Sequence, residues 1–192
     1  MKTPSLIGTL ALAGLLAAPP AQAQPAAARL LPAQSQIVFV SKQMGVPVEG
    51  EFKRFDAQIA FDPKQPQTGS VVLTIDTGSA TLGIPETDAE LPKPEWFAAA
   101  KFPQASFRST AIKPLGAGKY EVAGKLTLKG QSRNFVVPIS LAQTGGTGTA
   151  TGSFTLQRLA FKIGDGEWAD TSMVADEVQV RFKLALAGLP AP

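Results

Sequence analysis

The densest set of side chains able to do chemistry lies in KIGDGEWADTSMVADE, residues 162–177. There Asp165, Glu167, Asp170, Asp176 and Glu177 fall within 13 residues. Clustered carboxylates bind divalent cations when their spacing lets oxygens converge, but the alternating acids and bend glycine of an EF-hand loop are out of register here. The stretch reads instead as a solvated loop with an Asp-Gly turn at 165–166. Ser172, in the same stretch, has no imidazole to activate it, because the chain holds no histidine and no cysteine. That double absence removes the Ser-His-Asp triad, disulfides and the usual zinc site, and no Gly-x-Ser-x-Gly elbow is present. TGGTGTATG, 144–152, lacks the Gly-Lys-Ser/Thr ending of a phosphate loop and reads as a flexible hairpin. The chain is therefore expected to be a non-enzyme with no metal and no cofactor. An enzymatic alternative would rest on Asp, Glu or Tyr120 as proton carriers.

The ends and the charge balance narrow the class further. Lys2, the apolar run SLIGTLALAGLLAA (5–18) and the small-x-small AQA (21–23) form an export signal with cleavage expected after Ala23. This predicts a periplasmic protein. The apolar run, 14 residues long, is too short for a comfortable membrane span, so no stable membrane insertion is expected. Residues 24–34 read as a flexible arm and 35–190 as a single domain. Of 192 residues, removing 23 leaves 169, enough for one sizeable core. Removing Lys2 from the 18 basic residues leaves 17 against 15 acids, too even a balance to make nucleic acid the natural partner. Arg108, Arg133, Arg158 and Lys162 are expected on the outer face.

These side chains must be positioned by strands. In EFKRFDAQIAFDP, Phe55, Ala57, Ile59 and Phe61 alternate with Arg54, Asp56, Gln58 and Asp62. In YEVAGKLTLKG, Tyr120, Val122, Leu126 and Leu128 face one way, with Lys119, Glu121, Lys125 and Lys129 facing the other. EVQVRFKLALAG alternates most cleanly, from Val178 to Leu186. Pro138 inside NFVVPISLAQ marks an edge or bulge. The rhythm breaks once, between Thr77 and Lys101, where PETDAEL and PEWFAAA are expected to form short helical turns bracketed by prolines. About eight one-face-apolar strands joined mainly by hairpins predict an all-β fold: an eight-stranded antiparallel barrel with one short helical insertion. Such a barrel is either filled by side chains or holds one elongated ligand, and periodicity does not choose.

The chain resembles the YceI-like family of exported polyisoprenoid-binding proteins from about Ser35 to Leu186. The resemblance is carried by SQIVFVSKQMGVPVEGEFKRFDAQIAFDP, SVVLTIDTGSA, WFAAAKFPQASFRSTAI, YEVAGKLTLKG and WADTSMVADEVQVRFKL. It implies a lipocalin-like barrel around a long apolar channel. The implied partner is an isoprenoid lipid, such as a polyprenyl phosphate or a quinone, or another long-chain amphiphile, bound by a monomer or homodimer. The residues taken as ligand-facing are Phe39, Phe55, Ile59, Phe107, Tyr120, Leu126, Phe135, Phe154, Phe161, Val180 and Phe182 along the strands. Trp96, Phe97 and Trp168 are placed at the mouth, where the first two either line the opening or anchor the helical plug. The chain departs from many members in carrying Lys42-Gln43-Met44, where a histidine is common, and Ala98 after the Trp-Phe pair, where an acid often follows.

Overall fold

The computed structural model describes residues 27–144 and 146–191, so the expected export signal lies outside the described residues. Three long strands are each broken once. β1 (Ala27–Leu30) and β2 (Gln36–Gln43) are separated by a 3-10 turn at Pro32–Gln34. β3 (Val46–Phe52) runs into β4 (Phe55–Ala60), and β5 (Ser70–Asp76) into β6 (Ala80–Thr81). Five unbroken strands complete the set: β7 (Gln104–Gly116), β8 (Lys119–Leu128), β9 (Gln131–Thr144), β10 (Thr147–Gln157) and β11 (Glu177–Ala187). Each pairs antiparallel with its neighbour, and β1 joins β4 on one side and β11 on the other. The result is the closed eight-stranded antiparallel barrel that the alternation predicts.

Closure corrects the reading of residues 27–34 as an arm. Ala27 pairs with Ala60, while Arg29 and Leu30 pair with Ala187 and Leu186. Ala28 and Leu30 point into the core as Arg29 stays in solvent. Four residues are too few for alternation to be recognised in a sequence, yet they satisfy what would otherwise be two open sheet edges.

The breaks between half-strands are stapled by serine hydroxyls. Ser35 Oγ accepts from Ala185 N (2.9 Å) and donates to Leu31 O (2.8 Å). Ser79 Oγ accepts from Arg54 N (3.0 Å) and donates to Asp76 O (2.7 Å). Each hydroxyl stands in for a ladder bond lost at the kink. Large rings are seated over glycines of the paired strand: a Cβ on Gly152 would lie 2.5 Å from Phe182 Cζ, and one on Gly50 2.3 Å from Phe39 Cζ. Pro138 marks the point where β9 and β10 part. Their pairing runs from Thr144–Thr147 to Ile139–Gly152 and stops one residue short of the proline, which has no N–H to continue it. The 3-10 turn at Arg158–Phe161 follows β10 beyond this parting, and Arg133 Nη2 donates to Ala160 O across it (3.2 Å).

The helical insertion is smaller than expected. α1 covers Pro85–Asp88 alone, and residues 91–102 fold as successive turns. Pro92 and Pro94 supply no donors, and Ala98 takes a left-handed backbone (φ 49°) with its N–H on Lys93 O (2.9 Å). Phe102 N then closes on Ala98 O (2.9 Å), ending the plug where β7 begins.

An apolar cavity at one end of the barrel

β2 contributes Phe39, Ser41 and Gln43 to a cavity of about 320 Å³, every second residue of the strand facing inward. β3 adds Val48 and Phe52, and β11 adds Val178 and Val180. The plug supplies Leu91, Trp96 and Phe97, and the loop between β10 and β11 supplies Ile163, Trp168, Met173 and Val174. Phe39, Phe52 and Phe97 meet in tilted and edge-on contacts, with ring centroids 5.3, 5.6 and 6.5 Å apart. These geometries favour aromatic pairs beyond simple burial. Trp96 and Trp168 join plug to loop at 5.6 Å.

Of the residues expected to face ligand, Phe39, Trp96, Phe97, Trp168 and Val180 line this cavity. The other nine lie outside its lining: Ile59, Leu126 and Phe161 are buried in the hydrophobic core, and Phe55, Phe107, Tyr120, Phe135, Phe154 and Phe182 pack against it partly buried. Phe135 contacts Phe154 at 5.2 Å and Phe161 at 6.3 Å, and Tyr120 stands edge-on to Phe61 at 5.2 Å. Phe97 is buried and Trp96 half-buried, so the pair both anchors the plug and walls the cavity. The rim is apolar: Met44 is 75% exposed, Met173 48% and Trp168 39%, although all three line the cavity.

Two cations organise this end of the barrel, and both were expected in solvent. Arg158 is only 2% exposed. Its Nε donates to Ala175 O (3.1 Å), Nη1 to Ile163 O (2.9 Å) and Gly164 O (2.5 Å), and Nη2 to Trp168 O and Val174 O (both 2.7 Å). A guanidinium has five N–H donors, and here five backbone carbonyls of one loop take them. Burial pulls its pKa down and Asp176 opposes that pull; the group stays charged. Lys129 lies just past β8, where a left-handed turn (φ 47°) tucks its chain inward. Its Nζ donates to Glu95 O of the plug (3.1 Å) and Lys162 O of the loop (2.5 Å), with Asp165 Oδ1 3.7 Å away. Burial pushes its pKa down against the opposing pull of Asp165. Strand alternation gave no warning of either, since both follow the last residue of their strand.

The acids of the same loop act as staples. Asp170 Oδ1 accepts from Ser172 N (2.8 Å) and Ser172 Oγ (2.7 Å), which holds its carboxyl below the usual carboxylate range. Asp176 Oδ1 accepts from Leu159 N (2.9 Å). The loop also docks on the β2–β3 hairpin: Met44 N donates to Met173 O (2.8 Å) and Ala175 N to Lys42 O (2.9 Å). Among the described residues, no three acids gather in a way that would hold a metal ion. Ser41 is the other feature missed by sequence reasoning. Its Oγ is buried in the cavity wall and has no hydrogen-bonding partner in the protein.

A closed antiparallel barrel with one apolar, loop-capped cavity is thus the class this geometry defines. The chain belongs to the YceI-like domain family, whose model matches residues 29–186. A UPF0312 protein of Vibrio cholerae is 29% identical over 157 residues, spanning 77% of this chain and 83% of that one. Protein YceI of Salmonella arizonae is 38% identical over 96 residues, half of each chain. The crystal structure of Burkholderia cenocepacia BcnA superposes with a TM-score of 0.79 at 47% identity, covering 81% of this chain and 98% of that chain. A polyisoprenoid binding domain from Saccharophagus degradans, implicated in plant cell wall breakdown, shares the fold at 15% identity and a TM-score of 0.68. It covers 86% of this chain and 99% of that one.

Proposed function

We propose that the protein is a periplasmic carrier that sequesters a long isoprenoid lipid, enclosing one end of the tail in the barrel cavity. The observation that carries this reading is the cavity itself: an apolar chamber of about 320 Å³, open at an apolar rim of Met44, Trp168 and Met173. That the Saccharophagus degradans fold neighbour is a polyisoprenoid binding domain supports the choice of ligand class. Binding rather than turnover is supported by the lining, whose charged side chains are Arg158 and Glu90. Arg158 is occupied by carbonyls, and Glu90 is paired with Lys93 at 2.6 Å.

The cavity is at the small end of ligand pockets, which run from ~300 to ~1,000 Å³, so it encloses part of a long tail. Each buried five-carbon unit contributes roughly 4 kcal/mol gross, and two or three units give roughly 8–12 kcal/mol. Association costs of ~4 kcal/mol leave roughly 4–8 kcal/mol, an affinity between about millimolar and about micromolar. An apolar chamber of this kind grips by girth and discriminates weakly between tails of similar bulk. Native mass spectrometry of protein purified gently from its host should show a co-purifying lipid of isoprenoid mass. A ligand-free spectrum, together with no uptake of long-chain quinones or polyprenyl phosphates, would overturn the carrier reading.

A further inference from the structure

All the sulfur of this chain is thioether: three methionines and no cysteine. Met1 lies outside the described residues, and Met44 and Met173 both line the mouth of the apolar chamber. They are 75% and 48% exposed, and no methionine enters the buried core. Met44 tops the two-residue turn from Gln43 of β2 to Val46 of β3, where it and Gly45 take φ of 47° and 80°. Positive φ at both central residues matches the twist of a tight hairpin. Met173 belongs to the facing loop, whose next residue, Val174, is buried and bridges to Gln43. Met44 N donates to Met173 O at 2.8 Å, so the main chain holds both residues at one rim.

A thioether is apolar, and an exposed one is open to oxidation. With hydrogen peroxide the sulfur lone pair attacks one peroxide oxygen, and the S–O bond forms as the O–O bond breaks. The proton of the transferred hydroxyl passes to the departing hydroxide, which leaves as water; sulfur is oxidised and peroxide reduced. No thiol in the chain competes for the oxidant. The sulfoxide oxygen accepts hydrogen bonds from water. A hydrocarbon tail crossing the rim strips that water away and offers no donor in return, so each sulfoxide opposes binding. The core, built without methionine, is untouched.

We propose that Met44 and Met173 form a reversible oxidation site that controls the chamber: the thioether form admits an apolar tail and the sulfoxide form releases it. This rests on the carrier reading and adds to it a regulation of the same mouth. The probe is an octaprenyl quinone or, where the untreated protein does not take it up, octaprenyl phosphate. It is titrated by native mass spectrometry against protein before and after dilute hydrogen peroxide, with the peroxide removed first. Peptide mapping should place one oxygen on each of Met44 and Met173. The doubly oxidised protein should bind the probe about tenfold more weakly, with its thermal midpoint held. Methionine sulfoxide reductases should restore the affinity. Met44→Leu/Met173→Leu should show the same affinity before and after peroxide. Met44→Gln/Met173→Gln, which puts an amide where the sulfoxide would lie, should bind weakly with no oxidant added. The proposal is overturned if both sulfoxides form and the probe binds as before, or if the leucine variant loses affinity to peroxide as the wild type does. Sulfurs that resist peroxide overturn it too, as does a loss of binding that comes with a fallen thermal midpoint. Uptake of neither probe by the untreated protein would instead sink the carrier reading, and the proposal with it.

Discussion

At the scale of single residues, Arg158 decides most. Arg158→Met would leave five carbonyls without their donor in a site closed to bulk water. Losing hydrogen bonds from a charged group and leaving acceptors buried should cost about 3 kcal/mol or more in a urea titration. Arg158→Lys should recover only part of this, because an ammonium has three donors and no planar fork. Lys129 makes a prediction in pH. Its folded pKa lies below the ordinary 10.5, so in the window beneath 10.5 the unfolded chain binds more protons and stability rises with pH. Denaturation midpoints measured from pH 8 upward should therefore rise for the wild type relative to Lys129→Met. A flat difference across that window would show that burial does not depress the group.

Elements pack here through a few close approaches between paired strands. Gly152 on β10 faces Phe182 on β11 and lies against Pro138 O of β9, which a Cβ would approach to 2.6 Å. Gly152→Ala should therefore destabilise by about 1–3 kcal/mol through overpacking, with a lower thermal midpoint. Alternation within β4, and within β11 as far as Lys183, is borne out by the burial pattern, one face meeting the core and the other water; beyond it Leu184, Ala185 and Leu186 are all buried. It fails at strand ends. Lys129 and Arg158 follow their strands' last residues, where the chain leaves the pleat and period-two reasoning no longer constrains direction. The plug shows the same limit: PEWFAAA has helical propensity, but its prolines and the left-handed Ala98 make turns of it.

For the whole molecule, closure is the property most open to test. A chain beginning at Pro32 would lack β1 and open one edge of β4 and the end of one edge of β11, which stay paired to β5 and to β10 on their other sides. It should lose cooperativity in thermal unfolding and gain a concentration-dependent tendency to associate through the open edges. An unchanged melt in the truncated chain would show that β1 adds little to the barrel. From the amino-acid sequence alone come the all-β class, the strand count, the inward faces, the single interruption and the family resemblance, because each depends on period-two patterning or on ordered motifs along the chain. The tertiary structure alone decided that residues 27–30 close the barrel and that the cavity at one end is lined by Phe39, Trp96, Phe97, Trp168 and Val180 among the expected residues. It also decided that an arginine and a lysine are buried to hold plug and loop. The physical reason is the same in each case: alternation reports which face of a strand turns inward, whereas filled core, open cavity and buried cation are set by what arrives from the other side of the barrel.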